Sequence, residues 1–385
     1  MGEPGEITGE LNMDRRTFIS GGAVAAATVA TACGETGQDT SGAPAAPNIN
    51  RGVTRLRMVT TWPANFPGLG TAANNVANYI NRMSGGSLEV RVYAAGEIVS
   101  AFEAFDAVSE GTADMYHGAE YYWQGKSPAF NFFTAVPMGM TAYEIMGWVE
   151  AGGGQALWDE LSAGFNIKPF QAGNSGHQMG GWFKREINTL EDFRGLRMRI
   201  PGLGGNVLRE LGGAAVTLSG GEIYPALQSG AIDGTEWVGP WNDLAFGFYR
   251  EAPYYYGPGF HEPGSCLGVG INKTVWDGLA SDHQAIIASA CRTANNISIA
   301  EFQYQNGIAL DVLVNEHGVE LRQFSDEIWT RIGTIAEQVV ADTGNADPFT
   351  RRVYDSYLAA RDSMRSWGRI SEMPYMVQRE RVLDR

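Results

Sequence analysis

Cysteine is scarce in this chain: three in 385 residues, at positions 33, 266 and 291, with no CxxC spacing. A disulfide scaffold and a thiolate zinc centre are thereby excluded, and any bound metal has to use oxygen ligands. Positive charge is short as well. Against 43 acidic residues stand 28 lysines and arginines, a net charge of −15, which argues against counterion-driven binding of nucleic acid. Charged residues make up 18% and prolines number 16 while apolar residues reach 44%, so disorder as the main state is excluded. What is abundant is glycine, 50 residues, which points to many tight turns between regular elements.

Catalytic signatures are missing too. Gly202-Leu203-Gly204-Gly205-Asn206-Val207 fails as a dinucleotide fingerprint because Val207 stands where the third glycine is needed for close cofactor approach. Gly173-Asn174-Ser175-Gly176 lacks the frame of a nucleophile elbow. The five histidines, at 117, 177, 261, 283 and 317, show no metalloprotease spacing. These absences leave little support for an enzyme.

The start of the chain carries an address. Arg15-Arg16-Thr17-Phe18-Ile19 precedes an uncharged, alanine-rich stretch from Gly21 to Ala32, the pattern of a twin-arginine export signal over residues 1–33, with Met1 or Met13 as the start. That stretch is too short and too poor in leucine and isoleucine for a membrane span. Ala32-Cys33-Gly34 resembles a lipoprotein cleavage site, with Ala30 where leucine is usual. Residues 34–53, rich in Gly, Ala, Pro, Ser and Thr, read as a flexible tether. Two arginines and four acidic residues before position 34 contribute −2, so the exported part carries −13.

From residue 54 strand and helix alternate. Leu56, Met58 and Thr60 alternate with arginines, then Leu69, Ala72, Ala73, Val76, Tyr79, Ile80 and Met83 recur at helical spacing, and Leu88, Val90 and Val92 form the next strand. This predicts a β-α-β opening in a parallel sheet. Ala107-Val108-Ser109-Glu110-Gly111-Thr112-Ala113-Asp114 matches Ala226-Leu227-Gln228-Ser229-Gly230-Ala231-Ile232-Asp233 in type, each a helix end, a glycine cap and a short strand bearing Asp, which suggests two similar lobes. Ser219 and Glu222 have capping-box spacing for a helix over 222–229. Beyond about 272 the pattern is helical. A proline-free run from about 282 to 316 is long enough to span both lobes, and an amphipathic segment from Phe349 to Trp367 lies past the two-lobe pattern.

Arg197-Met198-Arg199-Ile200-Pro201 puts two arginines on one face of a strand closed by proline, where a guanidinium can present a planar fork to a carboxylate, although a surface salt bridge fits the spacing as well. Asp233-Gly234-Thr235-Glu236-Trp237 sets a carboxylate beside a large aromatic. Tyr121-Tyr122-Trp123 and Tyr254-Tyr255-Tyr256 are aromatic clusters, more often packing than ligand contact.

Taken in order, TTWP (60–63), AGE (95–97), YYWQGK (121–126), QMGGWF (178–183), GLRMRIPGLGG (195–205), GGEIYPALQSGAIDGTEWVGPWND (220–243) and HEPG (261–264) resemble the extracytoplasmic solute-binding proteins of TRAP transporters, over roughly residues 54–370. The similarity is to the subgroup that binds α-keto acids, lactate and related small carboxylates, also described as mannitol binders. It implies a two-lobed α/β, periplasmic-binding-protein-like fold with hinge strands, a long lobe-spanning helix and an extra C-terminal helix. Lobe I would take residues 54–175 and about 262–305, lobe II about 176–261 and 306–345, and residues 346–385 would form a helical extension that makes a homodimer. Arg199 is implied to pair with the solute carboxylate. Gln178, Glu236 and the backbone oxygen of Trp237 would hold a cation, sodium or calcium. Gln178, Trp237, Tyr121, Tyr122, Trp62 and Glu262 would complete the solute site. The implied role is a periplasmic receptor that delivers a small organic acid to the TRAP membrane permease. A polyol or sulfonate receptor is the alternative within the family, and an exported hydrolase using Glu236 and Glu262 as paired carboxylates is the alternative outside it.

Overall fold

The computed structural model describes residues 52–383; the twin-arginine segment and Cys33 lie outside the described residues. The chain opens with β1 (Thr54–Thr60), α1 (Leu69–Met83), β2 (Leu88–Tyr93), α2 (Ala104–Ser109) and β3 (Met115–Gly118). In α1, the residues Leu69, Ala72, Ala73, Val76 and Ile80 are buried, the i, i+3, i+4 face that its sequence specifies. Next come α3 (Ala142–Glu150), α4 (Gly154–Ala163), β4 (Ile167–Asn174), β5 (Gly181–Phe183), β6 (Arg197–Arg199) and α5 (Gly202–Glu210). β7 (Ala214–Val216), α6 (Gly220–Ser229), β8 (Gly234–Thr235), α7 (Pro240–Phe246), β9 (Tyr254–Tyr256), β10 (Cys266–Asn272) and α8 (Lys273–Gly278) follow. The remainder is α9 (Ser281–Asn315), β11 (Glu320–Arg322), α10 (Asp326–Gly344), α11 (Pro348–Gly368) and α12 (Glu372–Leu383).

Two sheets result, ordered β2-β1-β3-β10-β4 and β11-β9-β5-β8-β6-β7. β1 runs parallel to β2 and β3, as the opening predicts, but β10 is antiparallel to both β3 and β4. The first sheet is therefore mixed rather than parallel. Its odd strand arrives from the second sheet, some 150 residues after the opening, so the local pattern at 54–92 holds no trace of it. The chain crosses between the sheets three times, from β4 to β5, from β9 to β10 and, through α9, from β10 to β11; α9 packs on α1 and β4 at the first sheet and on α7 at the second. At about 1.5 Å per residue its 35 residues reach about 52 Å. Ser298 Oγ ties it to the backbone of Asn174, and Asn306 Oδ1 accepts from Trp241 N at 3.0 Å.

The internal repeat is a repeat in three dimensions. Gly111 and Gly230 both take positive φ, +85° and +74°, after their helices, the left-handed turn that glycine adopts without a Cβ clash. Asp114 then accepts from Arg57 N (2.7 Å) and Nε (3.0 Å), and Asp233 accepts from Arg197 N (3.1 Å) and Nε (2.8 Å). Each unit thus clips its strand to the next through one Asp–Arg fork. The capping box is formed as well, with the Glu222 carboxylate accepting from Ser219 N at 2.9 Å and Ser219 Oγ at 2.6 Å.

The C-terminal segment is partly built into the chain's own core. The amphipathic segment from Phe349 to Trp367 lies past the two-lobe pattern in sequence, yet its Val353 and Tyr357 are buried in the chain's own core. Tyr357 stands edge-on to Trp148 at 5.2 Å, and its hydroxyl accepts from Met140 N at 2.7 Å. Only the far end stays open: Trp367, Ile370, Met373, Tyr375, Val377 and Leu383 are all exposed. An apolar face with a partner in its own chain reads the same in sequence as one without.

Candidate functional site

Arg199 ends β6 and is 1% exposed, whereas Arg197, on the same strand face, is open to solvent on its Asp233 fork. Burying a guanidinium requires partners. Nη1 donates to a carboxylate oxygen of Glu236 and to its carbonyl (3.2 Å), and Nε donates to the Leu218 carbonyl at 3.2 Å. The guanidinium carbon lies 5.0 Å from the centre of the Trp237 ring, a cation–π distance. Burial works against its charge, but Glu236 and the neighbouring Tyr122, Tyr121 and Glu262 more than compensate, so Arg199 is held charged.

Glu236 follows β8 and is fixed at both oxygens, one by Arg199 and the other by His261 Nε2 at 3.2 Å. Burial pulls the His261 pKa down, and the hydrogen bond and charge of Glu236 outweigh it and raise it. Glu262 is also buried. Desolvation, reinforced by the Glu236 charge, pushes its carboxyl well above the usual range, although Ser265 Oγ donates to it. Ligand atoms of Glu236, His261 and Glu262 all lie within 4.8 Å of one another. Gln178 is anchored at its backbone, where its N–H donates to the Glu262 carbonyl (3.1 Å) and its own carbonyl accepts from Gly259 N (2.9 Å). Its side-chain amide donates to Ser175 Oγ at 2.9 Å.

All the residues expected in the site come together where the two sheets meet. Trp62, Tyr121, Tyr122, Gln178 and Trp237, with Leu69, Ala119, Val238, Ser265 and Leu267, line a tight cavity of about 10 Å³. The Trp62 ring sits 6.4 Å from both Tyr122 and Trp237. Four buried polar atoms here have no hydrogen-bond partner: His261 Nδ1, which accepts or donates according to the protonation of its ring, and three that sort by sign. Gln178 Oε1 is an acceptor, which suits a cation; Arg199 Nη2 and Trp237 Nε1 are donors, which suit an anion. Orphaned groups of this kind cost free energy unless a ligand satisfies them.

A two-lobed α/β fold whose junction encloses unpartnered charged and polar groups has the form of a solute receptor. The chain belongs to the bacterial extracellular solute-binding proteins of family 7, whose profile matches residues 58–346. It is 39% identical over 365 residues to the monocarboxylate 2-oxoacid-binding periplasmic protein of Nostoc sp., covering 94% of this chain and 98% of that one. Among solved structures it resembles a TRAP periplasmic solute-binding protein from Pseudoalteromonas atlantica with bound sodium and pyruvate (38% identity, TM-score 0.82, 84% of this chain and 98% of that one). It also resembles one from Bordetella bronchiseptica, a mixed-occupancy dimer with copurified calcium and picolinate (31% identity, TM-score 0.84, 86% and 99%). This protein is an extracytoplasmic receptor of the TRAP type.

Sequence reasoning missed His261, which grips Glu236, and the serines Ser175 and Ser265, which hold Gln178 and Glu262. The signal for His261 was present in His261-Glu262-Pro263-Gly264, where only the glutamate was assigned a role.

Proposed function

We propose that this receptor captures a small 2-oxo or 2-hydroxy monocarboxylate together with a sodium or calcium ion, and hands the solute to a TRAP permease. The observation that carries the reading is the set of unpartnered atoms around the site, where one oxygen acceptor and two nitrogen donors stand beside the open Nδ1 of His261. Gln178, Glu236 and the Trp237 carbonyl are an all-oxygen set that suits a hard cation. When bound, that cation would neutralise negative charge next to the solute. Arg199 would take the carboxylate through Nη2, the arm that Glu236 leaves free. Pyruvate and picolinate, found in the two related structures, share one chemical feature, a carboxylate with a donor atom on the adjacent carbon. Such a pair closes a five-membered chelate, which acetate cannot do. A hydrolase using Glu236 and Glu262 is disfavoured because the related chains are named for binding, not for hydrolysis.

The test is calorimetry after dialysis against chelator in sodium-free buffer, adding pyruvate or acetate with and without each cation. Pyruvate should bind far better with a cation than without one, and acetate should bind weakly throughout. Affinity that ignores both the cation and the 2-oxo group would overturn the reading. Assembly as a homodimer belongs to the same proposal, supported by the exposed apolar residues between Trp367 and Leu383.

A further inference from the structure

We infer that His117 is a positioning residue for the solute site, fixing the Trp62 indole as a rigid cavity wall and so setting which 2-oxo acid fits. The inference rests on the proposed function. Trp62 lies on the loop after β1, where a side chain would ordinarily be free to shift. Instead its Nε1 donates to His117 Nδ1 at 2.8 Å, with both side chains buried and the rings at 69°. An indole N–H can only donate, so His117 Nδ1 carries no proton and the imidazole is the Nε2–H tautomer. Burial lowers the His117 pKa to about 4, against the pull of the Ala172 carbonyl, which keeps the ring neutral and Nδ1 able to accept.

His117 is a firm anchor. It sits in β3 between two paired strands, opposite Thr60 of β1 and Val269 of β10. Its carbonyl accepts from Thr61 N at 3.1 Å, so backbone and side chain together grip the 60–62 segment. The Trp62 carbonyl is held in turn by Ala95 N at 2.9 Å. The facing indole shows the contrast: Trp237 Nε1 has no partner and is left for the solute, whereas Trp62 Nε1 is tethered. One indole is a polar contact and the other is a wall. An apolar residue at 117 could fill the space, but it would leave the Trp62 N–H buried and unpaired, and the ring would turn to find an acceptor.

The experiment compares wild type, His117→Phe, His117→Asn, Trp62→Phe and the His117→Phe/Trp62→Phe double variant. It uses ¹⁵N-indole spectra of the ligand-free proteins and calorimetry with pyruvate and 2-oxohexanoate in the presence of sodium or calcium. His117→Phe should shift the Trp62 indole resonance, weaken pyruvate binding roughly tenfold and narrow the affinity ratio between the two acids. His117→Asn, whose Oδ1 can stand in for Nδ1, should restore most of the resonance position and the ratio, and it serves as the probe should the phenylalanine variant not fold. In the Trp62→Phe background the second change should alter neither affinity. An unmoved resonance and an unchanged ratio in His117→Phe overturn the inference, as does an equal loss in the Trp62→Phe background. Wild-type protein that binds neither acid overturns the functional reading and the selectivity role with it, whereas wild-type binding with unaltered selectivity in His117→Phe overturns the role alone.

Discussion

Arg197 and Arg199 stand two residues apart on one strand face and have opposite fates, because Asp233, 36 residues away, claims the first and Glu236 the second. Sequence spacing ranks them equally. Only the turn that brings Asp233 back to the start of β6, while Glu236 passes into the junction, separates them. Truncating one partner of a buried, charge-assisted pair typically costs about 2–5 kcal/mol, so Arg199→Ala should weaken pyruvate binding roughly 30-fold or more. Lysine at 199 should recover only part of this, since it lacks the planar fork. Arg197→Ala should leave affinity within about twofold, because an exposed pair contributes little. Calorimetry that reversed this order would relocate the anchor to Arg197. The individual residues at the site became legible through family resemblance, not periodicity. His261 and His117 escaped because their partners are distant in sequence: Trp62 meets His117 across 55 residues, and Glu236 meets His261 across 25.

Elements were more legible than residues because periodicity is local. The strand at 54–60, the helix at 69–83 and the long helix from about 282 to 316 follow directly from apolar spacing, and the two Asp-bearing turns follow from their glycines. What could not be read is which element lies beside which. α11 shows the consequence, since its apolar face has the right period and the structure packs it on Phe132, Trp148 and Met140 of its own chain. Two truncations should therefore behave differently. Ending the chain after residue 345 removes Val353 and Tyr357 from the core, exposes Trp148 and should destabilise the fold itself by more than about 3 kcal/mol, on the scale of losing one large buried side chain. Ending it after residue 369 removes only α12, in which no residue is buried, and should leave the thermal midpoint nearly unchanged while abolishing any dimer. Sedimentation and thermal melting of both forms decide the matter. A stable, folded chain ending at 345 would show that α11 is an accessory to the core.

At the scale of the whole molecule, residues outside the cavity lining, Phe66 and Asn242 among them, also join the two sheets. Phe66, on the loop after β1, lies 4.3 Å from Phe246 and 6.2 Å from Trp237, ring centre to ring centre, and Asn242 Nδ2 donates to the Pro67 carbonyl at 3.0 Å. Phe66 and Pro67 belong with the first sheet and residues 237–246 with the second, so an opening of the junction would break these contacts. A solute shifts an open–closed equilibrium only by its differential affinity for the two forms, and apparent affinity falls in proportion to the competent fraction. Loss of the Asn242 bond removes a net stabilisation of about 0.5–1.5 kcal/mol from the closed form alone, so Asn242→Ala should weaken binding by about 2- to 12-fold. The pattern matters more than the size. Because Asn242 does not line the cavity, every solute should lose the same factor and their rank order should stand, whereas a change in a cavity wall such as Trp62 reorders them. Small-angle scattering of ligand-free Asn242→Ala should report a larger radius of gyration than wild type, with saturating pyruvate and cation bringing the two together. A reordered solute series, or equal radii without ligand, would assign Asn242 to the pocket or to neither lobe's motion.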